Sequence, residues 1–129
     1  MTPAEITALI ERELCHVWMV RTFIKHSEEA EDDEELREVY RELYDYSHAL
    51  GPAFEQKDWD QFLKLARKKI RKLIAANDLY QRVQPQISTH TNFQMAGRSL
   101  QASVDRIREL IEPTAHPSVK PPDESQAAS

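Results

Sequence analysis

The chain has 129 residues, of which 40% are apolar and 30% charged, with a net charge of −5 and a single cysteine. This size and composition indicate one globular domain, and no apolar run approaches the roughly 18 residues that a membrane span needs. One cysteine excludes an internal disulfide and a cysteine-rich zinc site, so we expect a soluble, cytoplasmic protein that does not bind membranes. The acidic balance argues against nucleic acid as a partner, because binding to phosphates requires basic residues.

The first predicted helix begins at Pro3 and reaches about Ser27. Thr2 and Glu5 flank this start as a capping box, in which each side chain bonds to the other's backbone amide. Apolar residues then recur at three- and four-residue spacing, which predicts one buried helix face. The residues of this face are Ile6, Leu9, Ile10, Leu14, Val17, Val20 and Ile24.

The second predicted helix follows residues 28–35, which we call the acidic run because every position except Ala30 is acidic. Negative charge is favourable at a helix start, and Asp32 or Asp33 is the expected cap. Gly51 and Pro52 predict the end of the helix, since glycine is common just past a last turn and proline cannot continue one. The buried face between these signals comprises Leu36, Val39, Tyr40, Leu43, Tyr46, Ser47 and Leu50.

The third and fourth predicted helices share the same periodicity. Asp58 and Gln61 form a second capping box, and the helix that it opens is expected to end before Pro85. The last helix has several candidate caps within residues 88–92 and is expected to end at Glu112. Residues 113–129 contain four prolines and almost no aliphatic side chain, so we predict a disordered tail.

Short connections make consecutive helices antiparallel neighbours. The sequence therefore predicts an all-α protein, an up-down-up-down antiparallel four-helix bundle over residues 1–112. Helix 1 then also lies beside helix 4. Because both helices rise ~1.5 Å per residue, residue n of helix 1 should lie at the same level as the residue of helix 4 whose number is about 115 minus n.

Glu13 and His16 have the Glu-x-x-His spacing of di-iron and di-manganese bundles, and Glu13 projects into the apolar face of helix 1. One hypothesis is therefore a transition-metal site, to which His90 could contribute in a different register. The alternative is a buried polar layer, because Ser47 and Ser103 fall near the level of Glu13. A second Glu-x-x-His on a facing helix is missing, so the prediction favours no cofactor.

Two further patterns resemble known helical families. Arg21 and His26 have a spacing similar to that of the HEPN ribonucleases, which implies RNA cleavage by this pair. His90 and Gly97 resemble the exposed histidine and following glycine of histidine phosphotransfer domains. The alternative for Gly97 is a small residue that lets helix 4 approach its neighbour closely.

Basic residues form a stripe opposite the apolar face of helix 3. One interpretation is a solvated face paired with acidic residues of helix 2, among them Glu38, Glu42 and Asp45. The other is a docking surface for an acidic partner, which the acidic run of a second copy could supply. We call this set the basic stripe, and its members are Lys64, Arg67, Lys68 and Arg71.

Trp18, Met19 and Phe23 lie off the apolar face of helix 1, where they would add exposed apolar surface. Together with the basic stripe they predict contact with a protein partner or a second copy. The sequence thus favours a protein-interaction or structural module without catalysis, with a metal-binding bundle and a ribonuclease as the alternatives.

Overall fold

A computed structural model describes residues 1–112 of the chain and places them in four helices. Between α1 and α2 lies one 3₁₀ turn, Glu29–Glu31, and within residues 1–112 there is no strand. The predicted tail, residues 113–129, lies outside the described residues. The helices are α1 Pro3–Lys25, α2 Glu34–Glu55, α3 Trp59–Ile87 and α4 Thr91–Ile111.

The helices pack as an antiparallel bundle, in which α1 and α3 each lie beside both α2 and α4. Glu13 contacts Ser103, and the ring of Phe23 meets that of Phe93 edge-on at 4.9 Å between centroids. Ten positions along α1 therefore correspond to ten positions back along α4. The numbers of the paired residues add up to 116, one more than the predicted register. The predicted four-helix bundle is confirmed.

The predicted caps open the helices. Thr2 Oγ1 accepts from the Glu5 amide at 3.1 Å while Glu5 Oε1 accepts from the Thr2 amide at 2.8 Å, so the capping box is formed. Asp33 and Asp58 each accept from the backbone amide three residues later, at 2.9 and 3.1 Å. These bonds satisfy amides that have no partner inside the helix.

The predicted end of α2 at Gly51 and Pro52 is wrong, because the helix continues through both to Glu55. Proline gives up one backbone bond, and the buried Ala53 keeps the last turn packed on the core. The chain reverses at Lys57, whose φ is 58°. The amides of Lys57 and of the next residue donate to carbonyls of the last turn at 3.1 and 2.9 Å, which is a Schellman motif.

The predicted end of α3 before Pro85 is also wrong, since that helix runs to Ile87. Val83 is buried and Ile87 half-buried on either side of the proline, so packing holds this turn helical. The cap of α4 is His90, whose Nδ1 accepts from the Asn92 amide at 3.0 Å. α4 ends as expected, immediately before Glu112.

The predicted apolar faces meet along the bundle axis. Two buried tyrosines tie helices together, since Tyr46 donates to the Ala66 carbonyl at 3.0 Å and Tyr80 to the Phe93 carbonyl at 2.8 Å. Burial raises the pKa of both phenols. The largest fully buried apolar side chains of the core are Tyr80, Phe62, Ile10, Ile24, Leu36, Leu43, Leu50, Leu73, Leu100 and Ile107.

Candidate functional site

Four side chains of α1 and α2 form a connected group on the outside of the bundle, which we call the aromatic cluster: Trp18, Arg21, Tyr44 and His48. The Arg21 Cζ lies 4.4 Å from the centroid of the Trp18 ring and 5.2 Å from that of Tyr44. Tyr44 in turn stacks on His48, with centroids 5.4 Å apart and planes 12° from parallel. The Arg21 guanidinium is therefore held by aromatic rings through cation–π contacts.

A groove of about 490 Å³ lies between α1 and α2 beside this cluster, and we call it the α1/α2 groove. Its walls include Leu14, Trp18, Met19 and Phe54. Trp18 is 41% exposed, Met19 65% and Phe54 36%, so three large apolar side chains face solvent side by side. A group of exposed apolar side chains on a small protein is a typical feature of a binding surface.

Three polar side chains also line the α1/α2 groove: Glu11, Ser47 and Glu55. Desolvation raises the pKa of the Glu11 carboxyl above its ordinary value. Within residues 1–112, neither carboxylate forms an ion pair, and the buried Ser47 Oγ has no hydrogen-bond partner. The groove therefore combines apolar walls with unpartnered oxygen atoms.

Phe23, the third off-face residue that the sequence singled out, lies elsewhere. It is half-buried and packs edge-on against Phe93 on the α4 side of α1. The structure thus brings Trp18 and Met19 together at one groove and places Phe23 in a separate contact between α1 and α4.

The basic stripe lies on α3 with most of its charges unpaired. In the described chain, Lys64, Lys68 and Arg71 are exposed and form no ion pair. Arg67 donates from Nε to the Ile111 carbonyl at 3.0 Å, so it holds the end of α4. Lys68 and Arg71 also line a groove of about 530 Å³ between α2 and α3, opposite Glu42 and Asp45.

The acidic run lies toward the other end of the bundle, in the connection between α1 and α2 and at the start of α2. Glu34 pairs with Arg37 at 2.7 Å, and Glu35 lies 3.8 Å from Arg82 on α3. These contacts place the start of α2 beside the second half of α3. Four exposed carboxylates of the run form no ion pair in residues 1–112: Glu28, Glu29, Glu31 and Asp32.

The predicted metal ligands do not converge. Glu13 accepts a hydrogen bond of 2.9 Å from the Ser103 hydroxyl, which is the polar contact expected of the buried-layer alternative. His16 is exposed, and His90 lies about 20 Å from the level of Glu13 by the register of α1 and α4. Among residues 1–112, no group of three or more histidine, cysteine, aspartate or glutamate side chains could hold a metal ion.

Arg21 and His26 occupy different surroundings. Five helical positions turn the chain by about 500°, so side chains at this spacing project about 140° apart around the axis. Arg21 lies on the aromatic cluster, while the exposed His26 ring has Nδ1 at 2.9 Å from the Thr22 carbonyl oxygen. The side chains of Arg21 and His26 therefore do not meet at one site.

Gly97 contacts the neighbouring helix, as its structural alternative predicted. A Cβ atom at this position would lie 3.2 Å from Cε2 of the buried Tyr80 ring. The Gly97 carbonyl accepts from Gln81 Nε2 at 2.8 Å. Its small size therefore serves close packing of α3 and α4, and the exposed His90 caps α4.

Sequence reasoning missed Tyr44, Phe54 and Glu11 at the candidate surface. Tyr44 and Phe54 flank the apolar face of α2, and positions 47, 48 and 51 lie between them at helical spacing. This second stripe along α2 was the signal in the sequence that could have identified them. No protein-family model, curated protein or solved structure matches this chain. In the part of the chain that the structure describes, no helix is long and apolar enough to cross a membrane.

Proposed function

We propose that this bundle is a protein-interaction module that pairs with a second copy of itself through the face formed by α2 and α3. The observation that supports this proposal is the separation of charge along that face. Unpaired basic side chains of the stripe lie on the first half of α3, and four unpaired carboxylates of the acidic run lie at the opposite end of the bundle, in the connection that leads into α2.

The two charged regions of one molecule are too far apart to neutralise each other. Arg82, which contacts Glu35, lies 14 positions after Lys68 on α3. At the rise of an α-helix this separation is about 21 Å, several times the reach of an ion pair. The acidic run of the same molecule therefore cannot compensate the basic stripe, and Glu42 and Asp45, which line the same groove as Lys68 and Arg71, form no ion pair with them within residues 1–112.

An antiparallel second copy provides that compensation twice. In a two-fold dimer, the acidic run of each copy lies against the basic stripe of the other, so both contacts form at once. Two neighbouring helices of this length present roughly 600 Å² per partner, near the area of a standard interface. Charge complementarity accelerates and orients association more than it tightens it, so the dimer is expected to be weak and sensitive to salt.

Sedimentation velocity on the full chain tests this function. At about 50 mM salt we expect the sedimentation coefficient to rise with protein concentration, and at about 500 mM we expect a monomer, because the Debye length falls to a few ångströms. Lys68→Glu combined with Arg71→Glu should give a monomer under both conditions.

The matched control is Arg98→Glu combined with Arg108→Glu. These exposed residues lie on α4, so the control has the same net charge without altering the proposed face. It should associate as the natural sequence does. A monomer at every salt and protein concentration, or equal association by all three proteins, would contradict the proposal.

A further inference from the structure

The α1/α2 groove is separate from the α2/α3 face of the proposed dimer. We propose that the α1/α2 groove binds small organic cations, molecules with an aromatic or branched hydrocarbon body and one ammonium group. The inference goes beyond the self-association proposed above and depends on different residues.

The walls of the groove suit the hydrocarbon body of such a ligand. Trp18 and Met19 are exposed along α1, and Phe54 faces them from α2. A volume of about 490 Å³ lies within the range of small-molecule sites, which are mostly apolar with a few polar groups. Covering these walls would remove apolar surface from water, which favours binding.

The charges of the groove suit a cation. Glu11 and Glu55 both line it, and none of its described lining residues is lysine, arginine or histidine. Glu11 is half-buried against apolar walls, and this desolvation raises the pKa of its carboxyl. Within residues 1–112 the carboxylate forms no ion pair. An ammonium group beside Glu11 would supply the missing positive charge in a partly dry environment, where such a pair is stronger than in water.

A third polar atom fits the same ligand. Ser47 lines the groove, and its fully buried Oγ lacks a hydrogen-bond partner in the described residues, so the hydroxyl can serve a ligand when the side chain turns toward the groove. A buried hydroxyl without a partner costs free energy that a bound donor recovers. An ammonium group donates three hydrogen bonds, enough to serve both a carboxylate and a hydroxyl.

The size of the groove favours a small ligand over a docked helix. Its lining on α1 runs from Glu11 to Met19, eight positions or about 12 Å. Even the smallest standard protein interfaces bury roughly 600 Å² per partner, which a site of this length does not offer. The ring face of Trp18 already holds Arg21, so the ligand's ammonium group belongs at the Glu11 end.

The experiment uses three probes of one shape: phenylbutylamine, which is cationic, phenylbutanol, which is neutral, and phenylbutyrate, which is anionic. The lone cysteine, Cys15, is exposed and lines the groove, so its alkylation rate reports occupancy. We expect saturable protection of Cys15 by the amine in the low-millimolar range or below, weaker protection by the alcohol and none by the carboxylate.

Variants assign the charge selectivity to Glu11. Glu11→Gln keeps the shape of the side chain and should weaken amine protection about fivefold to tenfold while leaving alcohol protection unchanged. Glu109→Gln, which changes an exposed carboxylate on α4 that does not line the groove, is the matched control and should change neither. Equal protection by amine and alcohol, no protection by any probe, or an unchanged Glu11→Gln variant would overturn the proposal.

The two proposals fail separately. Loss of probe binding would leave the sedimentation of the chain untouched, because no residue of the basic stripe lines the α1/α2 groove. A monomeric chain that still binds the amine would contradict the dimer alone.

Discussion

Glu13 on α1 accepts a hydrogen bond of 2.9 Å from the hydroxyl of Ser103 on α4, which is only 1% exposed. We predict that Ser103→Ala lowers the free energy of unfolding by about 1 to 2 kcal/mol, because a half-buried carboxylate then loses its donor. Urea denaturation measures the change.

The control for this prediction is Ser99→Ala, one helical turn earlier on α4. Ser99 is half-buried and its side chain makes no hydrogen bond in residues 1–112, so its replacement should cost less than Ser103→Ala. Equal stability of Ser103→Ala and the natural sequence would show that the Glu13 contact contributes nothing to the bundle.

Lys57 carries a backbone conformation that favours glycine. Its φ of 58° is left-handed, which costs a residue with a Cβ about 1 kcal/mol relative to glycine. Lys57→Gly should therefore raise the unfolding free energy by about 0.5 to 1 kcal/mol, as thermal or urea denaturation can measure. Lys57→Ala keeps the Cβ and should bring no such gain; an equal gain from both variants would refute the backbone explanation.

Glu11 makes stability depend on pH in a defined direction. Desolvation raises the folded-state pKa of the Glu11 carboxyl above the ordinary value of 4.5. The folded state therefore binds this proton more tightly than the unfolded chain does, so the free energy of unfolding is higher below that value and falls as pH rises through the folded pKa. The other ionisable side chains that line the same groove are Glu55 and Cys15. We predict that Glu11→Gln is more stable than the natural sequence at neutral pH.

The same variant should lose its advantage in acid. When pH falls below the unfolded pKa, the natural glutamic acid is protonated in both states and resembles glutamine. Denaturation across this range should show the two stability curves converging. Curves that stay parallel from pH 3 to 7, with that range chosen to bracket an ordinary carboxyl pKa, would refute desolvation of Glu11.

Where helices begin was predictable from single residues, because a cap is a local bond between a side chain and a nearby amide. Thr2 and Asp58 were identified in this way, and the period of apolar residues then set the packing register that joins Glu13 to Ser103. Where helices end was less predictable. Pro52 and Pro85 do not end their helices, because Ala53 and Val83 are buried against neighbouring helices. That packing cannot be read from the residues of one helix alone.

The candidate groove was only partly predictable for a related reason. Trp18 and Met19 stand out on one helix because they lie off its apolar face. Glu11 and Phe54 become part of a site only when α1 and α2 are placed side by side. The basic stripe was visible in the sequence, but the choice between paired and unpaired charges needed distances, since a shift of a few ångströms decides whether an ion pair forms.

Mixing two charge-reversed variants tests the central claim of an antiparallel dimer. The first reverses the three unpaired charges of the basic stripe, as Lys64→Glu, Lys68→Glu and Arg71→Glu. The second reverses the four unpaired carboxylates of the acidic run, as Glu28→Lys, Glu29→Lys, Glu31→Lys and Asp32→Lys. Each alone places like charges at both contacts and should sediment as a monomer at about 50 mM salt, where charges are weakly screened. An equimolar mixture should form a heterodimer, because both contacts then join opposite charges. A mixture that remains monomeric, while the natural sequence dimerises, would contradict the pairing of the basic stripe with the acidic run.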